Sequence, residues 1–454
     1  MSNLIAARVQ MGNSLAFHIV FVVLAMGMPL MLCIAEGLAL WRKDPVWMLL
    51  ARRWTKPVAL IIVIGAVSGT VISFELGLLW PSYTQFAGSI VGPLFAFEGI
   101  FFFTEAIFLG IYLYGWDRLS PRAHWLCSFP IWISGIFAAI IIVTVNSWMN
   151  TPTGFQVTNG QITGINSFQA IFNPAQPYEV VHMILASYVG IGFGVATVYA
   201  IALLRGKRDA YHRKAMLLGL TIGLVAIPLQ MIVGDAVARS LETQQPVKLA
   251  SMEAVYTTSN HVPLHLMGVP NVPQQSWYTN GLVIPDGLSL LVGFSPNTTV
   301  QGLNTVPAND RPSDTLIPII HLAFDLMVLF GTFMTLVAFV FWILFFARRG
   351  KIPEYRWLLW SIIVCGPMAF LAVEFGWVVT EEGRQPFVIY NYLRTSAAVT
   401  TAPYLNFTFG IFTIIYILMS ILLIVLLLRQ ARTPLEEIEL ATVTAMDHAE
   451  KSAV

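Results

Sequence analysis

Nine apolar segments, each long enough to cross a lipid bilayer as an α-helix, constrain the fold of this chain more than any other feature. The hydrocarbon layer is about 30 Å thick and is crossed by about 20 helical residues. Backbone polar groups find no water there, so each segment must satisfy its own hydrogen bonds as a helix. We therefore expect an all-α, polytopic membrane protein, with two groups of four helices and one peripheral helix. The predicted spans are residues 14–40, 57–79, 93–116, 127–147, 180–204, 215–238, 316–347, 357–379 and 402–428.

Basic residues are concentrated in four of the loops between these spans. Such loops face the cytoplasm in membrane proteins, which places the N-terminus outside and the C-terminus in the cytoplasm. The chain then divides into residues 1–238 with spans one to six, an extracytoplasmic loop at 239–315, spans seven to nine at 316–428, and a cytoplasmic tail at 429–454. The first residues lack the basic start and cleavage site of a secretory signal. The basic residues of the four loops are Arg42, Lys43, Arg52, Arg53 and Lys56, then Arg118 and Arg122, then Arg205, Lys207, Arg208, Arg213 and Lys214, then Arg348, Arg349, Lys351 and Arg356.

Composition excludes several classes of protein. The chain is 57% hydrophobic and 11% charged, with a net charge of +1 and no concentrated basic tract. This argues against a soluble domain and against nucleic acid as a partner. The three cysteines, Cys33, Cys127 and Cys365, stand singly in apolar segments. We expect them to pack in the core and not to form disulfides, iron–sulfur ligands or a covalent haem attachment.

A few polar or metal-ligating side chains lie inside the apolar segments. Ionisable groups in lipid are costly and usually mark a cofactor, ion or proton path. With the predicted topology, most of them fall toward the outer side of the membrane, and Glu105 lies about two turns deeper than Glu98. These residues are His18, Glu98, Glu105, His182, Met327 and Glu374.

Their chemistry points to haem when they are taken together. His with Met is a standard axial pair for low-spin haem, whereas a single strong ligand leaves iron free to bind oxygen. Singly, each has an ordinary explanation: a membrane His usually bonds a neighbouring helix, and Met327 would simply pack. The glutamates, Glu36 included, are equally explained as structural hydrogen-bonded carboxyls.

The outer segment 239–315 is far longer than a usual connection, which suggests that it has a function. It contains His261, His265 and Trp277 in Pro- and Asn-rich sequence. Quinol oxidation needs a base, hydrogen-bond partners and an apolar surface. Lys248 and Glu253, five residues apart, could supply the first two, although composition alone favours a solvated loop with an incidental charge pair.

Sequence motifs along nearly the whole chain carry a family resemblance. The chain resembles subunit I of the cytochrome bd quinol oxidases, and the KLxxxE element with GRQP is the most specific part of the match. The matching stretches are SLAFHIVF, GPLFAFEG, GWDRL, NSWMN, VVHMILASY, VKLASMEA, FDLMV and VEFGWVVTEEGRQPF.

The resemblance implies roles for individual residues. His182 and Met327 would be the axial ligands of a low-spin haem b, and His18 and Glu374 would ligate two high-spin haems. Glu98 would lie beside the oxygen-reducing haem, Glu105 on its proton route, and Arg384 would contribute electrostatics around the haems. Lys248 and Glu253 would belong to the quinol site.

The resemblance also implies an activity and partners. Quinol would be oxidised at the outer face and dioxygen reduced to water with cytoplasmic protons, separating charge without pumping, in the bacterial cytoplasmic (inner) membrane. Subunit II, a small single-span subunit and membrane lipid would be the partners. The cofactors would be low-spin haem b, high-spin haem b, and haem d or a third haem b. Asp325 stands where the family commonly has Arg, and the outer loop is of the short type.

Three other classes of membrane protein fit the sequence less well. A dihaem cytochrome b needs paired His on facing helices, and a haem–copper oxidase needs further clustered His. The eight His residues offer neither pattern. A secondary transporter also uses buried carboxylates and broken helices, but the chain shows no clear inverted repeat.

Overall fold

Nine long helices dominate the computed structural model, which describes residues 2–433 together with Glu439, Ala441 and Thr444. Most of the predicted tail at 429–454 lies outside these residues. Within the described part, all nine helices are long and apolar enough to cross a membrane. They are α1 (Asn3–Arg42), α2 (Pro45–Leu79), α3 (Pro81–Tyr114), α4 (Pro121–Asn150), α6 (Gln176–Leu204), α7 (Ala210–Gln244), α10 (Ile317–Ala347), α11 (Arg356–Glu382) and α13 (Leu405–Arg432).

Short elements fill the connections between these helices. The segment after α7 is folded, with two helices and two pairs of antiparallel strands, β3 with β6 and β4 with β5. The short helices are α5 (Ser167–Ile171), α8 (Pro246–Met252), α9 (Gly287–Gly293) and α12 (Thr395–Ala398). The strands are β1 (Gln156–Thr158), β2 (Gln161–Thr163), β3 (Leu264–Leu266), β4 (Val269–Asn271), β5 (Ser276–Thr279), β6 (Leu282–Ile284), β7 (Phe387–Ile389) and β8 (Leu393–Arg394).

Several helices begin well before the apolar segments that predicted them. Helix α1 starts at Asn3, and α2 starts at Pro45. The side chain of Ser2 accepts a hydrogen bond from the Ile5 amide, and Asp44 caps α2 in the same way through the Val46 amide. These caps stabilise the first turns of α1 and α2. Hydropathy does not detect those turns, because it marks only the residues suited to lipid.

The long helices form two groups of four, as predicted. Helices α1 to α4 pack together around a core that includes Leu32, Leu50 and Tyr112. Helices α6, α7, α10 and α11 pack around Phe193 and Phe341. Contacts of α1 and α4 with α6 join the groups, and α13 lies against α1 and α2 at the periphery.

Ion pairs define the two ends of the bundle. At one end Arg8 pairs with Glu382 at 2.5 Å, which brings the start of α1 to the end of α11. At the other end Lys214 pairs with Asp44, so the α1–α2 and α6–α7 connections meet there. We call the first the loop end, because α8 lies there, and the second the basic end.

Candidate functional site

His182 lies on α6, near the loop end, and faces α7. Its ring nitrogens are 3.1 and 3.3 Å from Gln230 Nε2. Gly234, one turn further along α7, also faces the ring: a Cβ added there would lie 3.3 Å from His182 Cε1. The absence of a side chain at residue 234 thus leaves room beside the imidazole.

Met327 lies on α10, and a second glycine faces it. A Cβ at Gly376 of α11 would lie 3.2 Å from the Met327 sulfur. Helices α6 and α10 each pack against both α7 and α11, so the two candidate ligands enter the same four-helix group from different helices. A Cβ at Gly331, one turn from Met327, would lie 3.1 Å from the Met231 sulfur on α7, and Met231 is about one turn from Gly234. His182 and Met327 are therefore at similar depths.

His18 lies in the other helix group, on α1, and faces α2. Its Nδ1 is 2.9 Å from Ser68 Oγ, and Ser68 is itself bonded to the carbonyls of Ile64 and Gly65. A Cβ at Gly69 would lie 3.0 Å from His18 Cε1. Since Nδ1 is engaged, Nε2 is the ring nitrogen that remains to bind a ligand.

The three candidate carboxylates, Glu98, Glu105 and Glu374, differ in their surroundings. Glu374 lies on α11, and its Oε1 is buried with no hydrogen-bond partner among the described residues. Glu105 lies on α3, is 7% exposed, and also has an unpaired Oε1 in that part of the chain. Glu98, two turns away on α3, is half-buried. Glu374 Oε1 and Glu105 Oε1 thus lack, within the described residues, the hydrogen bonds that a structural carboxyl would make.

Lys248 lies at the centre of a buried network at the loop end. Its Nζ donates to Asn150 Oδ1 at 3.1 Å, and Arg384 Nη1 donates to the same oxygen at 2.9 Å. Asn150 donates in turn to Glu179 Oε1 at 2.7 Å, and Arg384 pairs with Glu381 at 2.6 Å. Burial lowers the pKa of Lys248 to about 7, while the Glu179 carboxylate opposes this shift.

Glu253 points away from this network. It ends α8, and five positions along a helix turn a side chain by about 140° relative to Lys248. Burial, with a smaller contribution from the Asp325 carboxylate, raises the pKa of Glu253 to about 8. Asp325 accepts a hydrogen bond from the Met267 amide at 2.5 Å, and His321 lies 3.4 Å from the same carboxylate.

The structure therefore does not bring Lys248 and Glu253 together as one charge pair. It also contradicts the solvated loop that composition favoured, because both side chains are only 4% exposed. The segment buries them because α8 packs against α7 and α10.

Sequence reasoning missed several members of the site. Asn150 is the last residue of the NSWMN stretch, and Glu381 lies two residues before GRQP. Both belong to motifs that the sequence analysis recognised, but no role was predicted for either. Asn146 bonds Glu381 at 2.6 Å. His321 Nδ1 donates to the Met252 carbonyl oxygen at 2.6 Å, and no sequence signal identified this residue.

Comparison with known proteins identifies a family. The family model described as cytochrome bd terminal oxidase subunit I matches residues 6–434. The putative cytochrome bd menaquinol oxidase subunit I of Bacillus subtilis (strain 168) is 34% identical over 447 residues, covering 96% of this chain and 98% of that protein. The cytochrome bd-II ubiquinol oxidase subunit 1 of Escherichia coli (strain K12) is 26% identical, covering 86% and 88%.

A solved structure agrees with these relatives. The bd oxidase from Geobacillus thermodenitrificans matches with a TM-score of 0.88 and 35% identity, over 95% of this chain and 99% of the matched chain. Sequence and fold thus agree over almost the full length of both proteins. The chain belongs to the cytochrome bd terminal oxidase subunit I family.

Proposed function

We propose that this subunit oxidises quinol at the loop end and reduces dioxygen with protons taken up from the basic end. Its family makes it subunit I of a terminal quinol oxidase in a bacterial respiratory chain. It is a protein of the bacterial inner membrane, uses haem, and works with a subunit II. We further propose that a small single-span subunit completes the complex.

The charges at the bundle ends support an orientation. At the basic end, Lys214 and Arg213 in the first two turns of α7 pair with Asp44 and Glu354 in the neighbouring connections. Lys and Arg are enriched in cytoplasmic loops. The basic end therefore faces the cytoplasm in our proposal. The loop end, where α8 lies, faces outward.

His182 and Met327 fit a low-spin haem b. An imidazole and a thioether are the donor set of electron-transfer haems, and when bound the group carries single electrons. Gly234 and Gly376 leave space against the His182 ring and the Met327 sulfur, where any larger side chain would crowd the ligand. Gln230 Nε2 lies within 3.3 Å of both His182 ring nitrogens, so it is adjacent to whichever nitrogen would bind the haem.

His18 and Glu374 fit two high-spin haems, one of type b and one either haem d or a further haem b. Ser68 fixes the His18 ring through Nδ1 and leaves Nε2 as the donor. Glu374 offers a buried carboxylate oxygen that no described residue bonds. In this proposal Glu98 lies beside the oxygen-reducing group.

Lys248 and Glu253 act separately on quinol. Glu253 is the candidate base, since a carboxylate without a hydrogen-bond partner at Oε2 can accept a proton. Lys248 and Arg384 concentrate positive charge on Asn150, which favours an anionic quinol oxygen nearby. A cavity of about 600 Å³ borders α8 at Val247 and is lined by Phe387, Tyr390 and Arg394, which offers aromatic and polar surface for a ring.

Glu105 and Glu98 are the candidates for the proton route. Moving one charge against about 100 mV costs roughly 2.3 kcal/mol, so a polar path is needed across the apolar layer. Protons consumed from one side and released on the other separate charge without pumping. Glu105→Gln should slow oxygen reduction while leaving the haem spectra unchanged.

The proposal rests on the placement of His182 and Met327, which lie at similar depths in one four-helix group, each facing a glycine. The test is the dithionite-reduced minus oxidised spectrum of the purified oxidase. Met327→Leu should convert the low-spin haem to a high-spin or lower-potential form. Met334→Leu is the matched control, because Met334 is a buried core methionine two turns along the same helix. A Met327→Leu enzyme with the parent's spectrum and midpoint potential would refute the ligand assignment.

A further inference from the structure

The connection between α4 and α6 presents two phenylalanine rings on its surface. Phe168 of α5 is 70% exposed, and Phe172, the residue after α5, is 59% exposed. Their ring centroids are 4.7 Å apart, so the two rings form one apolar surface. Ile165, just before α5, is exposed as well. We call Ile165, Phe168 and Phe172 the α5 patch.

Hydrogen bonds hold α5 beside the last turn of α4. Asn173 Nδ2 donates to Ser147 Oγ at 3.0 Å, and Thr151 Oγ1 donates to Asn173 Oδ1 at 3.0 Å. Ala170 of α5 is buried where α5 packs against α4. Ser147 is the last residue of the apolar span predicted in α4, and the next predicted span begins at Val180. The α5 patch therefore lies level with the boundary between the apolar layer and water at the loop end.

The connection that carries the α5 patch is uncharged. Residues 151–178 contain no Asp, Glu, Lys, Arg or His. Exposed apolar side chains continue along the chain into the first turns of α6, at Tyr178 and Val181, and α6 is long and apolar enough to span a membrane. Exposed apolar surface of this kind marks contact with a protein or a membrane. Its depth and its continuity with a spanning helix favour the membrane.

We propose that the α5 patch binds phospholipid at the loop-end surface of the bilayer, between the headgroups and the upper acyl chains. Aromatic side chains are enriched at this depth. Amphipathic helices lie there with their apolar side in lipid and their polar side in water. In α5 the exposed polar residues are Ser167 and Gln169. Contact with lipid removes the rings of Phe168 and Phe172 from water.

The anchored connection joins two members of the buried network around Lys248. Asn150 is the last residue of α4, Glu179 lies in the first turn of α6, and the two are hydrogen-bonded. Lipid contact at the α5 patch thus holds this network at a fixed depth beside the bilayer, where a lipid-soluble quinol arrives. Only this consequence rests on the proposed function, because the lipid contact is measured without turnover.

Nitroxide spin labels on the intact oxidase, in vesicles of phosphatidylglycerol and phosphatidylcholine, measure the contact. Phe168→Cys and Phe172→Cys carry the label in the α5 patch. Gln161→Cys carries it at an exposed position of β2 in the same connection. Power saturation of the EPR signal compares collisions with O₂, which concentrates in lipid, and with a water-soluble nickel chelate. The parent chain treated in the same way gives the background of the native cysteines, of which Cys127 is the least buried.

We expect the labels at positions 168 and 172 to collide more with O₂ than with the nickel chelate, and the label at position 161 to show the reverse. Phe168→Trp keeps an aromatic ring at the site. Its emission should be quenched by phospholipids brominated on the upper acyl chain, whereas that of Gln161→Trp should not.

Two results would overturn the proposal. If the nickel chelate reached positions 168 and 172 as readily as position 161, the α5 patch would lie in water. If both reagents were excluded from positions 168 and 172 and brominated lipid did not quench Phe168→Trp, a protein surface would cover the α5 patch in place of lipid.

Discussion

Lys248 donates a 3.1 Å hydrogen bond to Asn150, a residue 98 positions earlier in the chain. Arg384 donates to the same amide oxygen. One neutral side chain thus holds two cations at the loop end, with Glu179 and Glu381 as the counter-charges. Asn150, the last residue of α4, links Lys248 of α8 to Arg384 just after α11 and to Glu179 of α6. It therefore fixes Lys248 relative to α6 and α11, which carry the candidate haem ligands His182 and Glu374.

Asn150→Leu should destabilise the protein and impair quinol oxidation. The substitution keeps the side-chain size but leaves Lys248, Arg384 and Glu179 without their shared partner, and each buried group left unsatisfied costs about 1–3 kcal/mol. Thermal unfolding and quinol turnover of the purified oxidase measure both effects. Asn309→Ala, at an exposed position, should leave both unchanged. A parent-like Asn150→Leu enzyme would contradict the role of the network.

The rate of quinol oxidation should rise with pH up to about 8. Burial raises the pKa of Glu253 to about 8, so below that pH the carboxyl is mostly protonated and cannot accept a proton, and above it the carboxylate is available. Glu253→Gln should lower turnover and remove this limb of the pH profile. Asp286→Asn, at a partly exposed position in the same segment, should keep it. A Glu253→Gln profile with the parent's shape would show that another group is the base.

The sequence predicted the nine helices because long apolar runs leave the backbone no alternative to a helix in lipid. Helices α1 and α2 begin about three turns before the predicted spans, because capped helix outside the lipid layer has no hydropathy signal. The folded segment after α7 was also beyond prediction. Its burial depends on α8 packing on α7 and α10, which no local pattern encodes.

The candidate site was predictable only in part. Its His, Met and Glu residues are conspicuous because polar groups in apolar segments are rare. The partners of those residues are glycines, an asparagine and backbone carbonyls. Gly135 and Gly234 look like ordinary helix-packing residues in the sequence, and only the fold shows that they face Glu105 and His182.

Glu374→Gln should lower the high-spin haem content of the purified oxidase, because it removes the carboxylate that we propose as a ligand. Glu381→Gln is the matched comparison on the same helix. Both oxygens of Glu381 are engaged, with Asn146 and Arg384, so that variant should keep its haem. Haem extracted per mole of protein and the high-spin absorption measure the result. If Glu381→Gln loses haem and Glu374→Gln does not, the ligand is Glu381.

The buried Glu36–His124 pair should contribute to stability. Glu36 lies 2.7 Å from both His124 Nδ1 and Tyr112 Oη, and all three side chains are at most 2% exposed. His124→Phe leaves the Glu36 carboxylate buried with one partner, and breaking a buried pair in this way costs about 3–5 kcal/mol. Chemical denaturation in detergent measures the free energy of unfolding.

A double variant shows whether the Glu36–His124 pair itself stabilises the protein, or whether only the loss of one member is destabilising. The double variant Glu36→Met with His124→Phe removes the carboxylate together with the imidazole. It leaves the Tyr112 hydroxyl and carbonyl without these partners but no buried carboxylate, so it should cost less than His124→Phe alone. Asp314→Asn is the surface control: Asp314 is 50% exposed beside Arg311, and such pairs contribute up to about 1 kcal/mol. If His124→Phe cost no more than Asp314→Asn, the buried pair would not hold the α1–α4 interface together.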